Sequence, residues 1–195
     1  MNIFALSIDP KEAAKAHGDK HVVKMILEAC QMLYTAHWIS VHPELLLHRA
    51  PIKIAAAQKL LQVPEHMATA PKRKEGEPGF RPVHLHHPCT VWVRTSLANY
   101  MWLTELALAI ANEYEYRFAS NSKGKGRVHS CKAHARWLQM NRPPLPQGHR
   151  TPFALAMPDE YKMPDPVASY IRFYTGSKKE RGLTKYTRRA PPAWI

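Results

Sequence analysis

The sequence predicts a mainly α-helical protein: one compact helical domain of residues 1–195 around two long helices. Segments 19–38 and 90–118 contain no Gly or Pro, which is typical of long helices. Hydrophobic residues make up 45% of the chain and charged residues 22%, as in an ordinary globular protein with a substantial core. Long basic segments rich in Pro and Gly separate the helical ones, and we find no internal repeat.

Helix start and stop signals predict the elements in order. Residues 1–8 are short and apolar, as in a strand or an extended plug. Asp9 followed by Pro10 begins a helix that Gly18 ends, and Asp19 is the expected N-cap of the first long helix. The predicted helices are 10–17, 19–38, 52–61, 90–118 and 165–181, with a short one around 129–138.

Two long segments between the helices are expected to be mobile basic loops. Residues 62–88 contain five prolines and two glycines, and a loop of this length inside a domain is usually functional or mobile. Residues 119–150 are basic and broken by Gly, Ser and Pro. The tail, 183–195, is basic and then aromatic, and we expect Trp194 to anchor it to the body.

One narrow polar row runs along the helix predicted at 19–38. Its members are separated by 3, 4, 3 and 4 residues, which places them on one line of a helix, and the other residues from 22 to 36 are apolar. So wide an apolar surface predicts protein on most sides, with the row lining an active-site cleft. The alternative is a solvated stripe held by pairs such as Lys24–Glu28. The row consists of His21, Lys24, Glu28, Gln31 and Thr35.

The charge balance indicates a polyanionic partner. Lys and Arg number 28 against 15 Asp and Glu, for a net charge of +13, which favours nucleic acid over a membrane surface. Three widely spaced cysteines indicate a reducing cytoplasm rather than a disulfide framework. We find no signal-peptide pattern and no membrane-spanning apolar run, so we expect no membrane partner.

Metal and standard nucleotide motifs give no positive signal. The histidines of 84–87 have no carboxylate or Cys partner at ligand spacing, so we expect no metal, and they are read as bonding backbone or approaching DNA. GxGxxG, P-loop, HExxH and GxSxG patterns are not found.

Three blocks of the sequence carry a family resemblance. They contain Asn2-Ile3-Phe4, Asp9-Pro10 and Asp19-Lys20-His21-Val22-Val23-Lys24-Met25-Ile26-Leu27-Glu28; His87-Pro88-Cys89, Trp92, Arg94, Asn99-Tyr100 and Glu113-Tyr114 to Arg117; and Met157-Pro158-Asp159-Glu160-Tyr161, Asp165-Pro166-Val167 and Trp194. Together they cover most of the chain. They resemble the amino acid:DNA transferases of phage thymine hypermodification.

The resemblance implies a reaction on DNA in the cytoplasm of the infected bacterial host. The substrates would be double-stranded DNA carrying 5-(pyrophosphoryloxymethyl)uracil and a free amino acid, glycine for example, whose amine displaces pyrophosphate. No cofactor is required, because the leaving group is already activated. The chain departs from the family pattern after Arg117: Phe118-Ala119-Ser120-Asn121 replaces an aromatic-Gly-Lys run, so the resemblance does not support a phosphate contact near 118–125.

This reaction gives the candidate residues their expected roles. Glu28 or His21 would be the base, with Asp19 orienting it, and Lys24 completes the catalytic set. Substrate and pyrophosphate would be bound by Lys20, Arg94, Asn99, Glu113, Arg117 and Gln31, with Lys24 assisting. A base extracted from the stack would pack on Trp92, Tyr100 or Tyr114. The DNA backbone would meet Lys72, Arg73, Lys74, Lys123, Lys125 and Arg127.

Two other functions fit the same residues. A small helical DNA glycosylase/lyase acting on pyrimidines would also be basic, with Lys24 forming a Schiff base with the sugar. In a non-catalytic DNA-binding protein the polar row would be structural, and Glu28→Gln would leave activity intact.

Overall fold

The computed structural model describes residues 1–73, 76–119 and 126–195, and within them the chain is mainly helical, as predicted. These residues form no β-strand; one isolated bridge joins Lys72 and Pro78. Short 3₁₀ turns cover Pro43–Leu47, Glu65–Met67 and Asp159–Tyr161, and a π turn covers Tyr174–Lys178. The α-helices are α1 (Pro10–Ala16), α2 (Asp19–Val41), α3 (Pro51–Leu60), α4 (Pro88–Thr95), α5 (Leu97–Phe118), α6 (Lys132–Met140) and α7 (Pro166–Phe173).

The core lies around the two long helices, α2 and α5, which pack against each other. Helix α1 packs on α5, α4 contacts both long helices, and α6 also lies against both. Along α2 nearly every turn is buried, as the wide apolar surface of its sequence predicts. No helix in the described part of the chain is long and apolar enough to cross a membrane.

The N-terminal segment is an extended plug and not a strand. Residues 3–6 are almost completely buried in the core. The side chain of Asn2 accepts hydrogen bonds from the backbone N–H groups of Ile3 and Phe4 at 2.8 and 3.1 Å, and Trp102 donates to the carbonyl of Ile8. The segment therefore lies across the core with its first residues close to α2.

The start of α1 is as predicted, but the start of α2 differs. Asp9 caps α1 by accepting from the backbone N–H groups of Lys11 and Glu12. The N-cap of α2 is Gly18, not Asp19, and Gly18 makes no side-chain cap bond. The Asp19 carboxylate accepts instead from Arg117 and Thr187, because tertiary partners are within its reach.

The second long helix is not continuous. Predicted as 90–118, it begins at Pro88 and breaks at Ser96, whose backbone is extended (φ −150°, ψ 157°). The Ser96 hydroxyl accepts from the N–H of Asn99, while the N–H of Leu97 donates to the carbonyl of Pro146. A side-chain cap and a distant carbonyl thus replace the helical bonds at the break.

The remaining elements agree with the predictions to different degrees. Residues 119–150 contain the short helix expected around 129–138, since α6 spans Lys132–Met140 and buries Ala135 and Leu138. Segment 62–88 is irregular as expected, yet it buries Met67 and Leu85. The helix predicted at 165–181 ends at residue 173 and continues into the π turn, inside which Gly176 is non-helical.

The tail depends on a glycine at the start of α2. Asp19 N–H donates to the carbonyl of Lys185 at 2.8 Å, and a Cβ on Gly18 would overlap the carbonyl oxygen of Leu183. We expect Gly18→Ala to push the tail away and to lower the free energy of unfolding by about 1–3 kcal/mol. Urea unfolding followed by circular dichroism measures this change.

The matched control for that substitution is Gly126→Ala, because an added Cβ there meets no atom of the described residues within 4 Å. It should change stability by no more than about 0.5 kcal/mol. Equal urea midpoints for the two variants would contradict the proposed packing of the tail on Gly18.

Candidate functional site

The first half of α2 lines a cleft of about 440 Å³. The opposite sides are formed by the N-terminal segment, by residues 156–158 and by residues 173–183. Three members of the predicted polar row, His21, Lys24 and Glu28, face this cleft, and Lys20 lies beside them. The row therefore reaches the cleft over its first two turns.

The rest of the row is placed elsewhere. Gln31 is half-buried and lies outside the cleft lining, and its backbone carbonyl accepts from the Thr35 hydroxyl at 2.7 Å. The same hydroxyl accepts from the N–H of Val83 at 3.1 Å. Thr35 thus joins α2 to the segment before α4, and Gln31 does not line the cleft that holds the first three members of the row.

Glu28 is the buried carboxylate of the cleft, with 7% of its surface exposed. Its Oε2 accepts from the backbone N–H of Asn2 at 2.9 Å and lies 3.8 Å from the α-amino nitrogen of Met1. Its Oε1 lies 3.0 Å from Nζ of Lys24, whose side chain is largely exposed. The Glu28 carboxylate therefore lies close to two amines, of which the Lys24 ammonium extends into solvent.

His21 is held at the back of the cleft as a neutral imidazole. Its Nδ1 lies 2.5 Å from the Tyr174 hydroxyl, and its ring centroid is 4.6 Å from that of Phe4. Burial lowers the pKa of His21 to about 3, and the neighbouring His17 and Lys178 lower it further. The ring is therefore uncharged at any physiological pH.

The wall opposite α2 adds two cations that the sequence did not single out. Lys178 is 8% exposed, and its Nζ is 4.0 Å from the Phe173 ring centroid. Burial lowers the pKa of Lys178, and the charges of Arg181 and Lys24 add to this effect. With Lys20, Lys24, Lys178 and Arg181 around the single carboxylate of Glu28, the cleft favours an anionic ligand.

Arg117, Glu113 and Asp19 form a separate buried network and do not line the cleft, which corrects their expected placement. The Arg117 side chain is completely buried and donates to Glu113, to Asp19 and to the carbonyls of Lys15 and His17 at 2.7–3.0 Å. Arg189 of the tail also pairs with Glu113. These contacts join α1, α2, α5 and the tail, so Asp19 does not orient His21 or Glu28.

Arg94 and Asn99 are also engaged away from the cleft, contrary to expectation. Nη1 of Arg94 donates to the carbonyl of Leu85 at 2.8 Å. The Asn99 amide donates to the carbonyl of Trp92 and accepts from the N–H of Thr151. Both side chains join α4 and α5 to neighbouring segments.

The predicted stacking aromatics belong to the core. Trp92 is 5% exposed and packs against Phe153, and Tyr100 is fully buried with its hydroxyl donating to Leu138. Tyr114 meets Phe118 and His129 edge-on. The aromatic rings at the cleft are instead Phe4 and Phe173, brought together from opposite ends of the chain.

The predicted backbone contacts are not part of the cleft. Lys72 is exposed at the isolated bridge, Arg73 lies over the Phe80 ring, and Arg127 is exposed. Lys74, Lys123 and Lys125 lie outside the described residues.

Among the residues that the structure describes, no three His, Cys, Asp or Glu side chains come together as metal ligands. In the cluster 84–87, His86 bonds the carbonyl of His48, and His87 caps α4. Both contacts are with backbone groups, in line with one of the two roles read from the sequence.

Comparison with family models, with curated proteins and with solved structures finds no match to this chain. The fold and the cleft define its class: a mainly helical protein with a cationic cleft around one buried carboxylate.

The buried histidines predict acid-sensitive stability. Burial lowers the pKa of His17 to about 4 and the pKa values of His21 and His37 to about 3, from an ordinary value of 6.5. Between these values the unfolded chain binds more protons, so this stability is complete above pH 6.5 and is lost as the pH falls. We expect a loss of roughly 2 kcal/mol per imidazole at pH 5, measured by urea unfolding.

The exposed His149 provides the control for that measurement. His149→Gln should leave the pH dependence unchanged, whereas His21→Gln should reduce it. Equal stability of the wild type at pH 7 and pH 5 would show that the three imidazoles are not buried as neutral groups.

Proposed function

We propose that the protein modifies DNA in the α2 cleft, transferring an amino acid through its amine onto 5-(pyrophosphoryloxymethyl)uracil with release of pyrophosphate. The observation that carries the proposal is the buried carboxylate of Glu28 inside a cationic cleft. The three sequence blocks that resemble the transferase family and the net charge of +13 support it further.

The cations of the cleft fit the leaving group. As the bond between the base methylene carbon and the pyrophosphate oxygen breaks, negative charge develops on that oxygen, and positioned cations stabilise it. Lys178 is held in place by its packing on Phe173, and Lys20, Lys24 and Arg181 surround the same space. Binding of the pyrophosphate therefore falls to these four residues rather than to Arg94 and Arg117.

Glu28 fits the role of the base. The amino-acid ammonium loses one proton to the carboxylate, the free amine forms a C–N bond with the methylene carbon, and pyrophosphate leaves with the electrons of the C–O bond. Lys24 contacts Glu28 at 3.0 Å and has a largely exposed side chain, so an incoming ammonium can replace it. The released Lys24 is then free to meet the pyrophosphate.

The size and lining of the cleft suit a base removed from the stack. A volume of about 440 Å³ lies within the range of small-molecule sites. Phe4 and Phe173 supply apolar ring surface beside the cations. DNA would therefore present the modified base to the cleft while its backbone remains outside.

Mass spectrometry of nucleosides tests the proposal. Duplex DNA bearing the pyrophosphorylated base is incubated with the protein and a mixture of amino acids, then digested. We expect an amino-acid adduct of thymidine and an equal amount of pyrophosphate, both lost in Lys24→Ala and kept in Arg172→Ala, an exposed α7 control. No adduct with any amino acid would contradict the transferase proposal.

One observation favours a second candidate, the DNA glycosylase/lyase. Nζ of Lys24 lies 3.0 Å from Oε1 of Glu28, which places an amine beside the carboxylate in the cleft. Once deprotonated, this amine forms a C–N bond with the sugar carbon that bears the base, the base leaves with the electrons of the glycosidic bond, and opening of the sugar ring gives the Schiff base. Borohydride trapping followed by peptide mapping distinguishes the two, because a covalent adduct at Lys24 supports the lyase.

A further inference from the structure

Tyr174 and His21 form a hydrogen-bonded pair behind the cleft. The hydroxyl of Tyr174, a fully buried residue, lies 2.5 Å from Nδ1 of His21. The backbone N–H of Gly18 donates to the same hydroxyl oxygen at 2.8 Å. Burial raises the pKa of Tyr174 well above its ordinary value, so this residue keeps its proton.

The proton count at this pair determines which nitrogen of His21 carries hydrogen. A buried hydroxyl is most stable when it donates its proton in a hydrogen bond and also accepts one through a lone pair. In the described part of the chain the Tyr174 hydroxyl has two hydrogen-bond partners, and Gly18 N–H can only donate, so Nδ1 of His21 is the acceptor available to the tyrosine proton. An Nδ1 that accepts is unprotonated, and a neutral imidazole then carries its hydrogen on Nε2.

The other nitrogen of His21 faces the cleft. Among the described residues, Nε2 of His17 is the one buried side-chain polar atom without a hydrogen-bond partner. Within the described part of the chain the hydrogen bond of the His21 side chain involves Nδ1, and Nε2 has no partner. Since Nε2 of His21 is not among the buried atoms without a partner, it must be accessible to solvent. His21 lines the cleft, so this nitrogen opens onto it.

We propose that Tyr174 is a positioning residue that holds His21 in the Nε2–H tautomer, so that His21 donates a hydrogen bond to the substrate and does not serve as the base. A donor at this point, among Lys20, Lys24 and Lys178, suits an oxygen of an anionic leaving group. The proton of the amine must then be taken by Glu28. The tautomer stands on the geometry alone, whereas the role of the donor rests on the proposed function.

Nitrogen NMR of ¹⁵N-histidine-labelled protein tests the tautomer without any substrate. A two-bond ¹H–¹⁵N spectrum, with His21 assigned from His21→Gln, should show Nδ1 at the position of an unprotonated nitrogen and Nε2 at that of a protonated one. The opposite pattern, or a mixture of both tautomers in the wild type, would overturn the proposal whatever the protein does to DNA.

The variant Tyr174→Phe tests the positioning role. It should turn the His21 pattern into a mixture of tautomers and lower the turnover number about tenfold with little change in KM. The matched control is Tyr34→Phe, because the Tyr34 hydroxyl bonds Nδ1 of His134 at 3.0 Å outside the cleft. That variant should alter the His134 signals and leave His21 and turnover unchanged.

The two readouts separate the failures. A Tyr174→Phe protein that is folded and keeps the wild-type His21 pattern would overturn the positioning role. Suppose instead that Tyr174→Phe changes the tautomer of His21 as expected, but the wild type transfers no amino acid. Tyr174 would then still control the tautomer, and the proposed function would be wrong.

Discussion

Glu28→Gln is expected to lower the rate of transfer by at least about 100-fold, because the amide cannot take a proton from the attacking ammonium. The substitution keeps the size of the side chain and an oxygen that can accept from the backbone N–H of Asn2. Single-turnover measurement of pyrophosphate release at saturating amino acid isolates the chemical step.

Glu115→Gln is the control for this experiment. Glu115 pairs with Lys132 at 2.7 Å on α5 and does not line the cleft, so its loss should leave the rate unchanged. Equal rates for Glu28→Gln and the wild type would rule out Glu28 as the base. The polar row would then have a structural role.

Arg117→Met is expected to lower the free energy of unfolding by about 3–5 kcal/mol, since it leaves Asp19 without its cation and Glu113 with Arg189 alone. Glu113 and Asp19 would lose an ion pair each, and the carbonyls of Lys15 and His17 would lose their donor. Calorimetry and urea unfolding measure the loss.

The exposed pair Lys162–Asp159 gives the comparison, because Lys162→Ala should cost less than about 1 kcal/mol. If Arg117 bound substrate instead, its variant would keep its stability and raise KM. A stable Arg117→Met protein would therefore contradict the structural role assigned to this network.

The sequence predicts the part of the site that one helix determines. His21, Lys24 and Glu28 share a face because helical spacing places them there, and spacing is readable without the fold. Gln31 and Thr35 follow the same spacing but leave the cleft, because the neighbouring segment at Val83 covers Thr35. The spacing of residues predicts which side chains share a face of a helix, but it does not predict which segment of the chain covers each turn of that face.

The residues missed or misplaced all depend on distant contacts. Arg117 donates to the carbonyl of His17, 100 positions earlier in the chain, and the spacing of neighbouring residues cannot predict such a bond. Lys178 reaches the cleft because the π turn after α7 faces it, and the Met1 amine does so because the N-terminal plug crosses α2. The break between α4 and α5 could have been predicted from Ser96, since Ser is a preferred N-cap residue.

The central claim, that DNA reacts in the α2 cleft, is tested most directly by methionine-methyl NMR during titration with duplex DNA that carries the pyrophosphorylated base. Met1, Met25 and Met157 line the cleft, whereas Met67 is buried elsewhere and Met140 is exposed on α6. We predict shifts of the three cleft methyl groups with those of Met67 and Met140 unchanged. Shifts confined to Met140, with the cleft methyl groups unmoved at saturation, would contradict the account.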